Sequence, residues 1–133
     1  MFLTKESDYA VRIMRVLADG ERQKVETIST QAHIPHLYTY KILKKLEHAG
    51  FLKSVRGIQG GYILAKPLTE INLHDIVIAT DENPFLHECL REESKCPLLN
   101  IDSQHPCKMH FEFARIQNIL ESEMKRKSLA EIF

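Results

Sequence analysis

Residues 34–65 read IPHLYTYKILKKLEHAGFLKSVRGIQGGYILA, and this stretch decides the fold. Pro35 suits the first turn of a helix, apolar residues then recur at helical spacing, and Gly50 is a typical helix stop. We therefore predict a helix over residues 36–49. Its buried stripe is predicted to consist of Leu37, Ile42, Leu43 and Leu46.

The second half of the stretch predicts a β-hairpin. Residues 51–55 and 62–65 are rich in β-forming side chains, and three glycines lie between them. A hairpin that directly follows a helix-turn-helix forms a wing. Arg56 at its tip would then be able to enter a DNA minor groove.

Two more helices precede this stretch. Thr4 or Ser7 can cap a first helix that ends at Gly20, and residues 25–32 predict a short second helix. Pro35 disfavours helical geometry in the residue before it, so the second and third helices are joined by a tight turn. Together they form a helix-turn-helix.

A long final helix is predicted over residues 107–127. Its apolar stripe resembles a buried seam, and the helix is too long for a winged-helix core to cover alone. A partner helix, the first helix of the same chain, or both would cover it. The stripe consists of Met109, Phe113, Ile116 and Leu120.

The predicted fold is therefore mainly α with a small β-hairpin wing: a winged helix-turn-helix domain plus a long C-terminal dimerisation helix. We divide the chain into a DNA-binding domain at residues 1–80, a cysteine-rich cluster-binding loop at 81–107, and a dimerisation helix with a C-terminal tail at 108–133. With 133 residues and 44% hydrophobic content, one small domain with an accessory arm is expected.

Composition and motifs exclude several functional classes. The opening residues lack the features of a signal peptide, and no segment reaches membrane-spanning length, so we expect a cytoplasmic protein that does not contact a membrane. No nucleophile elbow, phosphate loop or metal-hydrolase motif is present, and an enzyme is not expected.

Charge is unevenly distributed although the net charge is zero. Residues 1–66 carry 11 Lys and Arg against 6 Asp and Glu, and residues 67–133 carry 7 against 12, which gives +5 and −5. A basic amino-terminal half favours double-stranded DNA as a partner, although uneven surface charge alone is common.

Candidate DNA-contacting residues lie on the third helix and the hairpin. The polar side chains at the start of the helix are expected to face base edges, and the lysines that follow are expected to meet phosphate. The base-facing set is His36, Thr39 and Tyr40. The phosphate set is Lys41, Lys44 and Lys45, and the hairpin contributes Arg56 and Gln59.

A second candidate site is the stretch HECLREESKCPLLNIDSQHPCKMH at residues 87–110, which contains all three cysteines. Cys89, Cys96 and Cys107 lie in a polar segment poorly suited to burying inert thiols, and this favours a metal. Their separations of six and ten residues disfavour a zinc knuckle and suit a larger iron–sulfur core. Zinc, plain thiols and a redox disulfide remain open alternatives.

These segments resemble the Rrf-type (Rrf-two) family of bacterial winged-helix regulators. The resemblance rests on LTKESDYAVRIMRVLA, IPHLYTYKILKKLEHAGFL, SVRGIQGGYILAKP, INLHDIV, the three-cysteine loop and the closing SLAEIF, and SVRGIQGGYILAKP is the most diagnostic. The resemblance implies a homodimeric regulator, most simply a repressor, that binds a palindromic operator. It also implies that the three-cysteine loop holds a 2Fe–2S or 4Fe–4S cluster. The signal would be nitric oxide, an oxidant, or iron–sulfur status.

Within the family, the HECL context of Cys89 and an aspartate at position 8 resemble the nitric-oxide-sensing NsrR branch more than the IscR branch. The resemblance implies a fourth cluster ligand, either Asp8 reaching the partner protomer's cluster or His110. We predict Asp8 as the fourth ligand because it would link the cluster to the DNA-binding helices. The ten-residue gap before Cys107 departs from the family's shorter spacing, so the loop is expected to bulge outward. A cluster-free thiol regulator of the same fold and a zinc-binding interaction module are the alternatives.

Overall fold

The computed structural model describes residues 3–94, 96–99 and 107–133, and over these ranges it is mainly helical with one antiparallel hairpin. The predicted fold class is confirmed. The predicted bulge before Cys107 involves residues 100–106, which lie outside the described residues.

The helices are α1 (Lys5–Val16), α2 (Val25–Ala32), α3 (His36–His48), α4 (Leu73–Thr80), α5 (Lys108–Lys125) and α6 (Leu129–Ile132), and the strands are β1 (Leu52–Val55) and β2 (Gly61–Leu64).

Helix α1 begins where the sequence offers a capping side chain. The Thr4 hydroxyl accepts from the Ser7 backbone N–H at 3.3 Å, and the Ser7 hydroxyl donates to the Thr4 carbonyl at 3.0 Å. The first of these bonds satisfies a backbone N–H that the first helical turn leaves unpaired. The helix then places Ile13 and Met14, both fully buried, in the centre of the core.

The turn between α2 and α3 depends on His33, which has a left-handed backbone (φ 54°, ψ 50°) and ends α2. The Ser29 hydroxyl donates to the Ile34 carbonyl at 2.7 Å, and the Ile34 N–H returns to the Ser29 carbonyl at 3.0 Å. Pro35 has no N–H to lose and precedes the first residue of α3. The turn is therefore closed by local hydrogen bonds.

The buried face of α3 differs from the predicted stripe at one position. Ile42, Leu43 and Leu46 are fully buried, whereas Leu37 is 84% exposed. The face is completed by Thr39, which is fully buried. Leu37 was misassigned because a leucine two residues before Thr39 points away from the core when Thr39 points into it.

The hairpin pairs Leu52 with Leu64 and Val55 with Gly61. It is attached to the helices by backbone hydrogen bonds in both directions between Gln23 and Tyr62, at 3.0 and 2.9 Å. This approach requires glycine, because a Cβ on Gly61 would lie 2.3 Å from the Gln23 carbonyl oxygen, and its φ is +145°.

Helix α4 packs against α1 and α3 and is capped by a reciprocal pair of bonds at its start. The Asn72 side chain accepts from the Asp75 N–H at 3.0 Å, and the Asp75 carboxylate accepts from the Asn72 N–H at 2.9 Å. Ile76 and Val77 are buried in this packing.

Helix α5 packs mainly on α4, so the alternative that it packs on the first helix is not the main contact. Its only buried residue is polar, Gln117. Met109 is 58% exposed, and the remaining residues of the predicted stripe are only half-buried. Over the described residues, no helix combines the length and apolar character that crossing a bilayer requires.

After α5 the chain returns to the core at Leu129, whereas residues 130–133 are exposed. Leu129 at the start of α6 is buried, and its N–H donates to the Ile71 carbonyl at 2.7 Å. Ser128 and Glu131 form a second capping box at this helix. The carboxyl end of α5 is thereby tied back to the segment that precedes α4.

Three helices meet at a charged junction around Glu6. The Glu6 carboxylate accepts from Lys41 and, at 2.7 Å, from Lys45, and Lys45 also donates to the Thr80 carbonyl at 2.8 Å. The bonds from Lys41 and Lys45 hold the pKa of Glu6 below its ordinary value. The junction therefore joins the start of α1, the middle of α3 and the end of α4.

Replacing Glu6 with Gln should lower the free energy of unfolding by about 1 kcal/mol at neutral pH, because one partly buried and one exposed charge-assisted bond are lost. Since folding lowers the pKa of Glu6, this stabilisation is complete above the ordinary value of 4.5 and disappears as pH falls through the folded value. Denaturant unfolding of both proteins across a pH series measures it.

The matched control is Glu123→Gln, because Glu123 is exposed and pairs only locally with Arg126 at 3.3 Å. The control should unfold like the unmodified protein. A Glu6→Gln difference that stays constant down to acid pH would contradict the assigned cause.

Candidate functional site

The exposed face of α3 and the adjacent hairpin form a basic surface. Lys41 and Lys44 lie exposed on α3, and Arg56 lies exposed after β1. Lys44 also pairs with Glu47 at 3.2 Å, and its side chain stays about half-exposed. Within the described part of the chain, Arg56 forms no ion pair, so its guanidinium is available to a ligand phosphate or groove.

Two of the predicted DNA-contacting residues do not face this surface. Thr39 is fully buried, and its hydroxyl donates to the Pro35 carbonyl at 3.2 Å, so the prediction that it faces base edges is wrong. The Lys45 side chain is only 25% exposed, and its ammonium is already bonded to Glu6 and Thr80. Its role in this structure is to join helices rather than to meet phosphate.

The other predicted residues are exposed. His36 and Tyr40 lie on the first turns of α3, with His36 Nε2 3.8 Å from the Glu26 carboxylate. Gln59 lies in the hairpin turn, and its side-chain oxygen accepts from Arg22 at 3.2 Å. Their roles toward DNA stay predictions.

Arg22 is a residue that sequence reasoning missed. It lies just before Gln23, the residue that joins the hairpin, and adds a cation beside Gln59. Its distance of 37 residues from Gln59 along the chain hides this proximity. An arginine beside Gln23 carries no motif that would have revealed it.

The three cysteines are free thiols, and both Cys96 and Cys107 lie close enough to Cys89 to act on its charge. Cys89 is buried, whereas Cys96 and Cys107 are half-buried. Burial raises the pKa of the Cys89 thiol, and the neighbouring Cys96 and Cys107 raise it further. A cation bound among these sulfurs would reverse this effect, since it would stabilise the thiolates.

A cavity of about 380 Å³ lies beside Cys89 and Cys96 and is also lined by Glu88, Arg91 and Glu93. Over residues 3–94, 96–99 and 107–133, no three His, Cys, Asp or Glu side chains converge closely enough to hold a single metal ion. The arrangement therefore offers two soft donors, Cys89 and Cys96, at the cavity, with Cys107 near Cys89, rather than a preformed mononuclear site.

The cysteine loop is anchored to α5 by two contacts that sequence reasoning also missed. The Gln117 side chain accepts from the Leu86 N–H at 2.7 Å and donates to the Pro84 carbonyl at 3.2 Å. The His87 ring stacks on Phe113 with centroids 4.8 Å apart. A glutamine in an apolar stripe was the available signal, because a buried amide needs partners.

The two predicted fourth ligands have different surroundings. Asp8 is exposed and forms an ion pair with Arg12 at 2.8 Å. His110 lies on the first turn of α5, where its backbone N–H donates to the Cys107 carbonyl at 3.1 Å. Its Nδ1 is buried and has no hydrogen-bond partner among the described residues, which is unusual for a buried polar atom.

Sequence comparisons identify relatives across the whole described chain. The model of the Rrf2 family, described as "Iron-dependent Transcriptional regulator", matches residues 3–133. Protein aau3 of Rhizobium meliloti is 38% identical over 103 residues, which cover 75% of this chain and 67% of that protein. The HTH-type transcriptional regulator NsrR of Shouchella clausii is 30% identical over 125 residues, which cover 91% and 83%.

Solved structures share the fold at lower identity. CymR (YrzC), the global cysteine regulator of B. subtilis, superposes with a TM-score of 0.72 at 19% identity, covering 99% of this chain and 95% of that one. IscR of T. potens superposes with a TM-score of 0.73 at 22% identity, covering 99% and 85%. These likenesses agree with the helix and hairpin arrangement described above.

Proposed function

This chain belongs to the Rrf2 family of DNA-binding transcriptional regulators, and we propose that it is a homodimeric repressor whose operator affinity is controlled by an iron–sulfur cluster on Cys89, Cys96 and Cys107. The family confirms the predicted resemblance and places the chain among regulators rather than enzymes. The observation that supports the cluster proposal is that Cys89 and Cys96 line one cavity and that Cys107 lies near Cys89. The proposed setting is the cytoplasm, where thiols stay reduced.

The proposed DNA contact places α3 in the major groove and the hairpin turn in the adjacent minor groove. Exposed Lys41 and Lys44 would neutralise phosphates, and Arg56 would enter the narrow groove. His36 and Tyr40 remain as base-facing candidates, while Thr39 and Lys45 are removed from the interface.

The donor set suits an iron–sulfur cluster better than a single zinc ion. Thiolates are the usual cluster ligands, and a cluster spans more space than one ion, as the separated thiols require. When bound, the cluster would supply a centre that reacts with nitric oxide or an oxidant. Cys89 would hold it from the buried side, and Cys96 and Cys107 from the exposed side.

For the fourth ligand, the buried and unpartnered Nδ1 of His110 favours that residue over Asp8. His110 lies three residues after Cys107, the residue that caps the start of α5. Asp8 would first have to leave Arg12, and it would have to act across the dimer. Asp8 remains the competing ligand because its exposure is compatible with a contact to the partner protomer.

A contiguous route connects the loop with α3. Gln117 holds Leu86 and Pro84 of the loop and bonds to Glu121 at 2.8 Å, and α5 packs on α4. The last carbonyl of α4, that of Thr80, is bonded to Lys45 of α3. A change in the loop would thereby alter the position of α3 through packed elements.

Anaerobically purified protein should be coloured, and it should contain iron and sulfide. Replacing Cys89, Cys96 or Cys107 with Ser should in each case reduce the iron content and change the absorption spectrum, because each replacement removes a thiolate ligand.

For the fourth ligand, His110→Ala should perturb the absorption spectrum, whereas Asp8→Ala should not. His48→Ala, a change at an exposed histidine on α3, is the control.

Several results would revise this proposal. A colourless protein with stoichiometric zinc would indicate a zinc module. A colourless, metal-free protein whose operator affinity responds to oxidants would indicate a thiol regulator. A perturbed Asp8→Ala variant beside an unaffected His110→Ala variant would reverse the choice of fourth ligand.

Arg56→Ala should weaken operator binding by about 1–3 kcal/mol at matched salt if the guanidinium reads a groove. The operator can be obtained by selecting bound duplexes from a random pool, and affinity can be measured by fluorescence anisotropy. Lys127→Ala, at an exposed residue after α5, is the matched loss of one cation. Equal affinities for the two variants would remove Arg56 from the interface.

The exposed apolar residues of α5 support a homodimer. Met109, Phe111 and Ile119 are all more than half exposed, and the helix is about 27 Å long. Two copies would bury this surface and present two α3 helices to half-sites about one DNA turn or more apart.

Light scattering should therefore give about twice the chain mass of 15.4 kDa. Leu120→Glu should yield a monomer, and Ile119→Glu repeats the test at a more exposed position. Ile58→Glu introduces the same charge at an exposed hairpin residue and should remain dimeric. A monomeric unmodified protein would refute the dimer.

A further inference from the structure

Leu37 is the most exposed apolar residue on any helix of the described structure, with 84% of its surface accessible. It lies on the first turn of α3, diametrically opposite the buried face formed by Thr39, Ile42 and Leu43. Lys41 follows four residues later on the same face as Leu37. An exposed leucine therefore lies on the same helical face as Lys41 and Lys44.

We propose that Leu37 is a specificity-determining residue that reads thymine through the C5-methyl group in the major groove. The inference rests on the proposed DNA-binding role of α3 and extends it to one side chain and one base. Residues at the start of a recognition helix reach base edges. A leucine side chain has no hydrogen-bonding group, and the thymine methyl is the apolar feature that bases present in this groove.

The neighbouring side chains have other contacts. Tyr38 packs edge-on against Tyr9 with ring centroids 6.0 Å apart, and Tyr40 lies beneath the Lys44 ammonium at 6.0 Å. Leu37 has no comparable contact in the described part of the protomer, where it is nearly fully solvated. Burial against a methyl group would remove this apolar surface from water.

The surrounding charge identifies the occupant as DNA rather than a second protein. Lys41 and Lys44 lie on the same helical face as Leu37, and Arg56 lies in the hairpin that follows α3. Cations surrounding an apolar contact match phosphates flanking a base edge. The dimer surface assigned above is on α5, a different element.

The test replaces individual thymines of the selected operator with deoxyuridine, which removes only the methyl group. For the unmodified protein, the affinity should fall about fourfold at one thymine or more in each half-site, the factor expected for losing one methyl-sized contact. Leu37→Ala should bind the intact operator more weakly. At those same positions it should show no further loss with deoxyuridine.

Ile78→Ala is the matched control, because Ile78 is a half-exposed apolar residue on α4. It should keep the full deoxyuridine effect. The inference is overturned if the selected half-sites lack thymine, if deoxyuridine has no effect anywhere, or if Leu37→Ala retains the same effect as the unmodified protein. Failure to select any sequence would instead overturn the proposed DNA-binding function.

Discussion

The pair of backbone hydrogen bonds between Gln23 and Tyr62 is the constraint on which the arrangement of the hairpin depends. A two-stranded hairpin is marginally stable in water, and this bridge gives it a third partner from the segment before α2. The approach is possible because residue 61 is glycine; any side chain there would overlap the Gln23 carbonyl. The position of Arg56 relative to α3 follows from this contact.

The basic residues of the first half divide between structural and surface positions. Lys45 joins three helices through Glu6 and the Thr80 carbonyl, whereas Lys41 shares Glu6 but stays half exposed. The same helix therefore supplies the core, the junction and the solvent face within four turns. The number of lysines on α3 therefore overstates the positive charge that a ligand can meet. Lys45 is mostly buried and bonded within the protein, and the sequence alone does not distinguish it from the exposed lysines.

The elements that sequence reasoning located well are those whose signals are local. Helix α2 was predicted with its observed bounds, since the turn at Pro35 limits it, and the hairpin was marked by its glycines. Leu37 was predicted to be buried and Thr39 to be exposed, and the structure shows the reverse. The side of a helix that faces the core depends on how the helix packs against other elements, and the apolar pattern of one short helix does not specify that side. The thiols were found as a cluster along the chain. A glutamine in the apolar stripe of α5 indicates that its amide needs partners, but the identity of those partners, Leu86 and Pro84, depends on distances between separate elements. The same is true of the buried Nδ1 of His110, which has no hydrogen-bond partner among the described residues.

The separation of charge along this chain also affects how fast and in which orientation it meets a polyanion. A molecule of zero net charge gains little from long-range attraction, so its affinity for arbitrary DNA should be modest. The excess of +5 on the half that contains α3 and the hairpin, and of −5 on the half that contains α5, gives the protomer a dipole. Near DNA that dipole experiences a torque that turns α3 inward and α5 outward. Encounters would thereby be biased toward the proposed DNA-binding face before any specific contact forms, and added salt would weaken the bias as the Debye length shortens.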